Sequence, residues 1–273
     1  MSLKLIATDL DGTFLSDDRL PSTLNVAAVR LAYERGVFIV FATGRPARWL
    51  QALDLLADIN PDVLASNGAV TYDIAKRQVL RASPLPFQPS LEAIADVVAA
   101  VPGTTFAVEY ETGWGRLHAY PPRGDFVEAD VITDSPAELL GAGVPVKLLI
   151  LQPDMSTEKL AQLVTPVVAG RLDITYSWAA NRGLIEASAP GVSKGSALLE
   201  LMAALGVGRD EVAAFGDMPN DIPMLEVAGR PFAMTNAHPL VLQRGYPTAG
   251  NNFDDGFGKT VMTLLSRPAD SLD

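Results

Sequence analysis

The chain has 273 residues, of which 48% are hydrophobic, and it carries a formal net charge of −11 at pH 7. A chain of this length and composition can bury a sizeable core, and we expect two domains. Its acidity, with Lys and Arg never forming a run, disfavours a nucleic acid as partner. It has no cysteine and two histidines, His118 and His238, which excludes disulfides, thiolate metal sites and histidine-rich zinc sites.

The sequence predicts no membrane segment and no export signal. No apolar run approaches the roughly 18 to 20 residues that cross a bilayer. Acidic residues follow the start of the chain too closely for a signal peptide. We therefore expect a soluble, cytoplasmic protein without a membrane partner, present as a monomer or a small homo-oligomer.

The first part of the chain alternates apolar runs with amphipathic stretches. Residues 3–8 predict a buried strand, residues 22–35 a helix that begins at Ser22 and stops at Gly36, and residues 37–42 a second strand. This order implies parallel strands joined by a right-handed crossover. The stretch continues with a predicted helix at 46–56, a strand at 63–66 and a hairpin at 70–81.

A proline cluster interrupts this alternation. Residues 83–89 contain three prolines, which break helices and central strands and predict a linker. The chain from there to residue 188 mixes two predicted helices, 90–100 and 156–169, with predicted strands at 106–109, 147–152 and 184–187. Beyond Pro190 the alternation resumes, with a helix at 193–205, a strand at 212–215, a helix at 221–228 and a strand at 231–234.

These elements predict an α/β fold with a discontinuous core. Residues 1–82 and 189–273 are expected to form a doubly wound parallel sheet with helices. Residues 83–188 are expected to form an inserted α+β domain, and residues 267–273 a loose tail.

Polar residues and glycines follow the predicted core strands, at the edge where open parallel sheets bind their ligands. Carboxylates from two strands that meet at one edge repel each other unless a cation lies between them. Mg²⁺ is the cation that favours such hard oxygen ligands. The strand-end stretches are Asp9-Leu10-Asp11-Gly12-Thr13, Thr43-Gly44-Arg45, Asn67-Gly68, and Gly216-Asp217 followed by Asn220-Asp221.

The residue types at these ends suit phosphoryl chemistry. Asp9 and Asp11 lie two residues apart, so both carboxylates can point to one side, where one attacks a phosphoryl group and the other transfers protons. Thr43 and free backbone N–H groups around Gly44 can donate hydrogen bonds to phosphoryl oxygens. Lys194, at the start of a predicted helix, can neutralise further negative charge.

Four stretches in the same order resemble the four motifs of haloacid dehalogenase superfamily phosphatases, namely LIATDLDGTFL, VFATGR, GVSKGSAL and FGDMPNDIPML. The resemblance is to the Cof-type, sugar-phosphatase-like group, whose larger C2-type α/β cap matches the predicted insertion. ASNGA resembles a further stretch of that family, so the resemblance spans nearly the whole chain. It implies a Rossmann-like core with a cap domain. Met218-Pro219 departs from the small residue that many relatives carry there.

The resemblance also implies roles for individual residues. It makes Asp9 the nucleophile and Asp11 the general acid and base of a phosphatase that uses an aspartyl phosphate. It gives Mg²⁺ as the cofactor, held by Asp9, the main-chain carbonyl of Asp11 and Asp217, with Asp221 supporting the metal shell. The residues placed around a small phosphorylated metabolite are Thr43, Gly44, Arg45, Lys194 and Asn220.

Several alternatives stay open at the level of sequence. A phosphomutase would use the same aspartates, and a phosphoacceptor module or a sugar-phosphate binding protein would use a similar site without turnover. Asn67 fits either a turn or a substrate contact, and we leave it outside the catalytic set. The following side chains of the inserted domain could line a pocket or simply pack: Trp114, Arg116, Tyr176, Trp178 and Arg182.

Overall fold

The structure is a computed structural model that describes residues 2–122, 128–177 and 183–266. It divides into two compact units. What we call the core unit comprises the described residues of Met1–Arg45, Trp49–Leu80 and Ser193–Asp273. The inserted unit comprises Pro46–Arg48 and the described residues of Arg81–Val192. The exact domain limits given above from the sequence stay a prediction.

Strands and helices alternate along the described chain. The strands are β1 Leu5–Thr8, β2 Phe38–Ala42, β3 Asp62–Ala65, β4 Val70–Asp73, β5 Gln78–Ala82, β6 Thr105–Tyr110, β7 Trp114–Leu117, β8 Val131–Thr133, β9 Pro145–Leu151, β10 Asp173–Thr175, β11 Leu184–Ser188, β12 Val212–Gly216 and β13 Arg230–Ala233. The α-helices are α1 Thr23–Glu34, α2 Phe87–Ala100, α3 Pro136–Gly141, α4 Thr157–Val168, α5 Lys194–Leu205, α6 Ile222–Val227, α7 Pro239–Leu242 and α8 Gly256–Ser266. None of these helices is long and apolar enough to pass through a bilayer.

The core unit is built on a seven-stranded sheet of order β13-β12-β1-β2-β3-β4-β5. The five strands from β13 to β3 are parallel, and β4 runs antiparallel to β3. β1 is the middle one of these five parallel strands and is wholly buried, as expected for a branched apolar run covered on both faces. The predicted α/β fold with a doubly wound parallel sheet is confirmed.

Residues at the ends of α1 and α5 determine where these two helices begin and end. Ser22 caps α1 by accepting a hydrogen bond from the N–H of Asn25. Ser193 caps α5 and exchanges hydrogen bonds with Ser196, while Gly206 ends that helix in the left-handed conformation, with φ of 65°. These capping signals are readable in the sequence, which is why both predicted helix ranges agree with the structure to within a residue at each end.

The helix predicted at residues 46–56 is wrong. The chain instead forms two 3₁₀ helices, Ala47–Trp49 and Gln51–Leu56, separated at Leu50. Leu50, Leu53 and Leu56 are all buried, and their spacing of three residues fits the three-residue turn of a 3₁₀ helix better than an α-helix. The N–H of Leu53 accordingly donates to the carbonyl of Leu50, three residues back, at 2.8 Å.

The linker predicted at residues 83–89 is also too long. α2 begins at Phe87, with Pro86 immediately before it, so the helix starts three residues earlier than the predicted Ser90. Pro89 lies in the first turn, where its missing N–H breaks no intrahelical hydrogen bond. Two of the three prolines therefore belong to the start of α2, while the division between the two units falls just before the cluster, at Arg81.

The inserted unit has its own six-stranded sheet, of order β10-β11-β9-β6-β7-β8. Its strand pairs are antiparallel except β7 with β8. β9 is buried along its whole length, and α2 packs against α3 and α4. The predicted α+β character of the insertion is confirmed.

Candidate active site

Two neighbouring parallel strands deliver the first two carboxylates. β1 ends at Thr8 and β12 at Gly216, so Asp9 and Asp217 leave the same edge of the sheet. The N–H of Asp9 donates to the carbonyl of Phe215 at 3.0 Å, which extends the pairing of the two strands up to the site. Asp9, Asp217 and Asp221 each place a carboxylate oxygen within 4.8 Å of the others, and all three side chains are buried.

Lys194 lies against this carboxylate group. Its Nζ is 2.5 Å from Oδ1 of Asp9 and 2.6 Å from Oδ1 of Asp221. The side chain is 0% exposed, so the two carboxylates are what makes burial of an ammonium tolerable. As the first residue of the capped helix α5, Lys194 has a fixed backbone position. The structure thus joins motifs that are 185 residues apart in the chain.

Asp221 has both carboxylate oxygens engaged by the protein. Oδ1 accepts from Lys194, and Oδ2 accepts from the backbone N–H groups of Asp217 and Met218 at 3.0 and 2.9 Å. These bonds hold the loop that carries Asp217 and place the lysine beside Asp9. Asp221 therefore positions Lys194 and the loop of Asp217. Its part in the metal shell stays a prediction.

A tight turn after Asp11 brings the first motif onto Asp217. Gly12 has a φ of 77°, and a Cβ at this position would lie 2.4 Å from Oδ2 of Asp217. The next residue, Thr13, donates its hydroxyl to Oδ1 of Asp217 at 2.9 Å. A residue without a side chain is therefore needed here, and the positive φ also favours glycine.

The pKa values of Asp9, Asp217 and Lys194 are shifted by burial and by their charged neighbours. Burial raises the pKa of Asp9 to about 7, although Lys194 acts in the opposite direction. Burial also raises the pKa of Asp217 well above its ordinary value, with the charge of Asp9 adding to the effect. Burial alone would lower the pKa of Lys194, but Asp221 and Asp9 raise it well above its usual range. Three buried carboxyl groups facing one ammonium are therefore short of positive charge, which is the condition that a divalent cation relieves.

This perturbation predicts a pH dependence of stability. The pKa of Asp9 is about 7 in the folded protein against an ordinary value of 3.8, so the folded state binds this proton more tightly than the unfolded chain. The resulting stabilisation is fully present below about pH 4 and is lost as the pH rises through about 7. In chelator-treated protein, the free energy of unfolding of wild type minus that of an Asp9→Asn variant should fall from pH 4 to pH 7. Denaturant titrations that show a flat or rising difference would contradict this assignment.

Asp11 lies apart from the carboxylate group. Its side chain is 51% exposed, and its two oxygens accept hydrogen bonds from Nε and Nη2 of Arg45 at 2.7 and 2.6 Å. Arg45 also donates to the carbonyl of Trp49 at 3.2 Å. The guanidinium thus forms a bidentate pair with Asp11. That Asp9 and Asp11 turn their carboxylates to one phosphoryl group stays a prediction. The predicted metal ligand at Asp11, its main-chain carbonyl, and the predicted substrate contact of Arg45 stay predictions.

The phosphate-binding N–H groups expected around Gly44 are partly engaged. The N–H of Thr43 donates to the carbonyl of Leu64 at 2.8 Å, and that of Arg45 donates to Oγ1 of Thr43 at 3.0 Å. The prediction that these N–H groups are free is therefore wrong for both residues. Thr43 is buried at the end of β2, and its hydroxyl, which accepts from Arg45, keeps its own proton to donate.

Asn67 is a site residue that the sequence analysis left outside the catalytic set. It follows β3 at the same sheet edge as Asp9, and its Oδ1 accepts a hydrogen bond from Nδ2 of Asn220 at 3.0 Å. Both amides are buried. Its position directly after a predicted core strand was the available signal, but a turn explained the Asn-Gly pair equally well.

The inserted unit carries a buried charged strip that we did not predict. Lys147 on β9 pairs with Glu186 on β11 at 2.9 Å, and Glu109 on β6 pairs with Arg48. Glu109 and Lys147 are register partners, so the strip crosses adjacent strands. Each glutamate and the lysine is less than a tenth exposed. The sequence signal for this strip is the charged residue within each of the two otherwise apolar runs, Glu109 in β6 and Lys147 in β9.

The remaining candidates of the inserted unit lie within its packing. Trp114 and Tyr176 are buried. Arg116 donates through Nη1 to the backbone carbonyl of Tyr120 at 2.8 Å. Trp178 and Arg182 lie outside the described residues.

The chain is similar to known proteins over almost its whole length. A family model described as haloacid dehalogenase-like hydrolase matches residues 6–261. The 5-amino-6-(5-phospho-D-ribitylamino)uracil phosphatase YcsE of Bacillus subtilis is 29% identical, over 96% of this chain and 95% of that protein. The pyridoxal phosphate phosphatase YbhA of Escherichia coli is 25% identical, over 97% and 100%. The crystal structure of SMU.1108c from Streptococcus mutans has a TM-score of 0.82 at 24% identity, covers 97% of this chain and 100% of its own, and shows the likeness of fold.

Proposed function

Because the chain belongs to the haloacid dehalogenase-like hydrolase family, we propose that it is a magnesium-dependent phosphatase that works through an aspartyl phosphate on Asp9. The Cof-type resemblance seen in the sequence and the enzyme class, a phosphoric monoester hydrolase, are confirmed. The observation that carries the mechanistic proposal is the buried group of Asp9, Asp217 and Asp221 in contact with Lys194.

The reaction follows from the placement of Asp9. A carboxylate oxygen of Asp9 attacks phosphorus, the bond from phosphorus to the ester oxygen breaks, and that oxygen leaves as an alcohol after taking a proton. Water then attacks the aspartyl phosphate, which releases inorganic phosphate and regenerates the carboxylate. Lys194 favours the ionised form of Asp9 and stays close enough to offset the charge of the phosphoryl oxygens.

The proton transfers fall to Asp11 in this proposal. Its carboxyl would protonate the leaving oxygen and later take a proton from the attacking water. Because both oxygens of Asp11 are bound by Arg45, the side chain must release the guanidinium before either transfer. Asp11 is exposed and lies beyond the end of β1, so its side chain can move without rearrangement of the sheet.

The donor set fits Mg²⁺. Asp9, Asp217 and the main-chain carbonyl of Asp11 would hold the ion, with Asp221 fixing the loop around it. When bound, Mg²⁺ would offset the charges of the carboxylates and of the phosphoryl group. The charge balance supports this assignment, since three buried carboxyl groups face a single ammonium, that of Lys194, and burial raises the pKa values of Asp9 and Asp217.

The substrate class we propose is a small phosphorylated metabolite, such as a sugar phosphate or a related phosphomonoester. The relatives named above act on phosphorylated ribitylaminouracil and on pyridoxal phosphate, which are both small phosphomonoesters. Action in the cytoplasm, as a monomer or small homo-oligomer, stays part of the proposal. A phosphomutase would transfer the phosphoryl group to a second hydroxyl of the substrate, so release of inorganic phosphate separates the two reactions.

A screen of phosphorylated metabolites tests the proposed function. We expect inorganic phosphate and the free alcohol to appear with Mg²⁺, to be lost with a chelator and to return with excess Mg²⁺. An Asp217→Asn variant should need a higher Mg²⁺ concentration for half-maximal rate, because one ligand of the ion is weakened. Asp210→Asn, an exposed aspartate of the core unit, is the matched control and should keep the wild-type requirement. Turnover that is indifferent to the chelator would contradict the proposal.

A further inference from the structure

The loop after β3 has an unusual backbone. Ser66, Asn67 and Gly68 all have positive φ, of 50°, 60° and 91°. Residues other than glycine rarely adopt this conformation, and they persist in it only where the surrounding structure holds them. A run of this kind therefore needs specific contacts to persist, and these contacts are with the active site.

Backbone contacts tie the loop to two of the site's motifs. The N–H of Asn67 donates to the carbonyl of Thr43, and that of Ser66 to the carbonyl of Arg45, both at 2.9 Å. Gly68 packs so closely on the start of α5 that a Cβ there would lie 2.4 Å from the carbonyl oxygen of Ser193. The loop thus contacts both the end of β2 and Ser193, the residue that precedes Lys194.

The side chain of Asn67 adds a contact to a third motif. It accepts a hydrogen bond from Nδ2 of Asn220 at 3.0 Å, and both side chains are at most 4% exposed. Oδ1 of Asn220 is buried and has no hydrogen-bond donor among the described residues. A buried acceptor without a donor is unfavourable, so an amide in this state is expected to serve a ligand.

We propose that Asn67 is a positioning residue for the phosphatase reaction. By engaging Nδ2 of Asn220, it fixes the plane of that amide and the end that faces the ligand. Asn220 then offers one N–H to a phosphoryl oxygen and its Oδ1 to a hydroxyl of the substrate. This inference rests on the proposed function and assigns to Asn67 an effect that acts through Asn220.

The backbone makes a clean test possible. At a φ of 60°, glycine is at least as favourable as asparagine, so Asn67→Gly removes the amide without straining the loop. Ser66→Gly is the matched control, because Ser66 also has positive φ and is buried one residue away. Asn220→Ala removes the other half of the pair.

The experiment is a double-mutant cycle on the intact enzyme, with kcat, KM and thermal stability measured for each variant. Asn67→Gly should lower kcat/KM by about five- to tenfold, the scale of one neutral hydrogen bond. In the Asn220→Ala background the same change should cost less than about twofold, because the partner is already absent. Ser66→Gly should stay within about twofold of wild type. If Asn220→Ala does not fold, Asn220→Ser takes its place in the cycle.

Two results would overturn the inference while leaving the proposed function standing. One is an equal loss from Asn67→Gly in both backgrounds, since Asn67 would then act independently of Asn220. The other is an equal loss of activity in Ser66→Gly, which would assign the effect to the loop backbone. If the wild-type protein hydrolyses no phosphomonoester, the proposed function is wrong, and this inference is wrong with it.

Discussion

An Asp9→Asn variant is expected to lose phosphatase activity by roughly 10⁴-fold or more, the scale on which enzymes respond to loss of a nucleophile. The amide has nearly the volume of the carboxylate, but it lacks the nucleophilic carboxylate oxygen that would form the aspartyl phosphate. The fold should persist, since the change removes a buried carboxyl whose pKa is raised to about 7 by its burial. Initial rates with Mg²⁺ and the best substrate of the screen measure the effect.

The control for this variant is stability rather than another substitution. Asp9→Asn should unfold thermally no earlier than chelator-treated wild type at pH 7, because the burden of a buried negative charge is relieved. Activity equal to that of wild type would remove Asp9 from the mechanism. If activity and the folded state are lost together, trapping of the phosphoenzyme in the wild-type protein decides the chemical role of Asp9.

Replacing Lys194 by Met is expected to impair both folding and turnover. The change strands two buried carboxylates, Asp9 and Asp221, that lie 2.5 and 2.6 Å from Nζ. Breaking a buried ion pair typically lowers the free energy of unfolding by about 3–5 kcal/mol, and here one cation serves two anions. Activity should fall by roughly 10²–10³-fold, as for loss of a preorganised group that offsets transition-state charge. Denaturant titration and initial rates measure the two effects separately.

Two further variants separate charge from packing. Lys194→Met combined with Asp221→Asn should recover part of the lost stability, because one stranded charge is removed while the amide oxygen can still accept the N–H groups of Asp217 and Met218. Activity should stay low in the double variant. Lys259→Met, at an exposed lysine of α8, should change stability by less than about 0.5 kcal/mol. A Lys194→Met protein as stable as wild type would show that the ion pairs contribute little.

The sequence was most informative where local pattern and long-range structure agree. Buried parallel strands are continuous apolar runs, so β1 and β2 could be located from the sequence. The carboxyl ends of parallel strands lie at the same edge of the sheet. The convergence of Asp9 with Asp217 follows from that rule alone. The contact of Lys194 with Asp9 required the order of the four motifs, since a lone lysine at a helix start is ordinarily solvated.

The misses concern contacts whose partners lie far away in the chain. Nothing local to Asp11 shows that Arg45 binds its carboxylate 34 residues later, and nothing local to Asn67 shows that Asn220 donates to it across 153 residues. The 3₁₀ segment at Gln51–Leu56 was missed for another reason, because periods of three and 3.6 residues differ little over two turns. Side-chain pairing and the choice between helix types therefore needed the three-dimensional structure.

The measurement that tests the central claim most directly is chemical trapping of the phosphoenzyme. Enzyme quenched during turnover is treated with borohydride, which reduces an aspartyl phosphate to homoserine, and peptide mass spectrometry then locates the reduced residue. The account predicts homoserine at position 9 in wild type and none in Asp9→Asn. Homoserine at another aspartate, or none at all in wild-type enzyme quenched while it turns over with Mg²⁺, would contradict it.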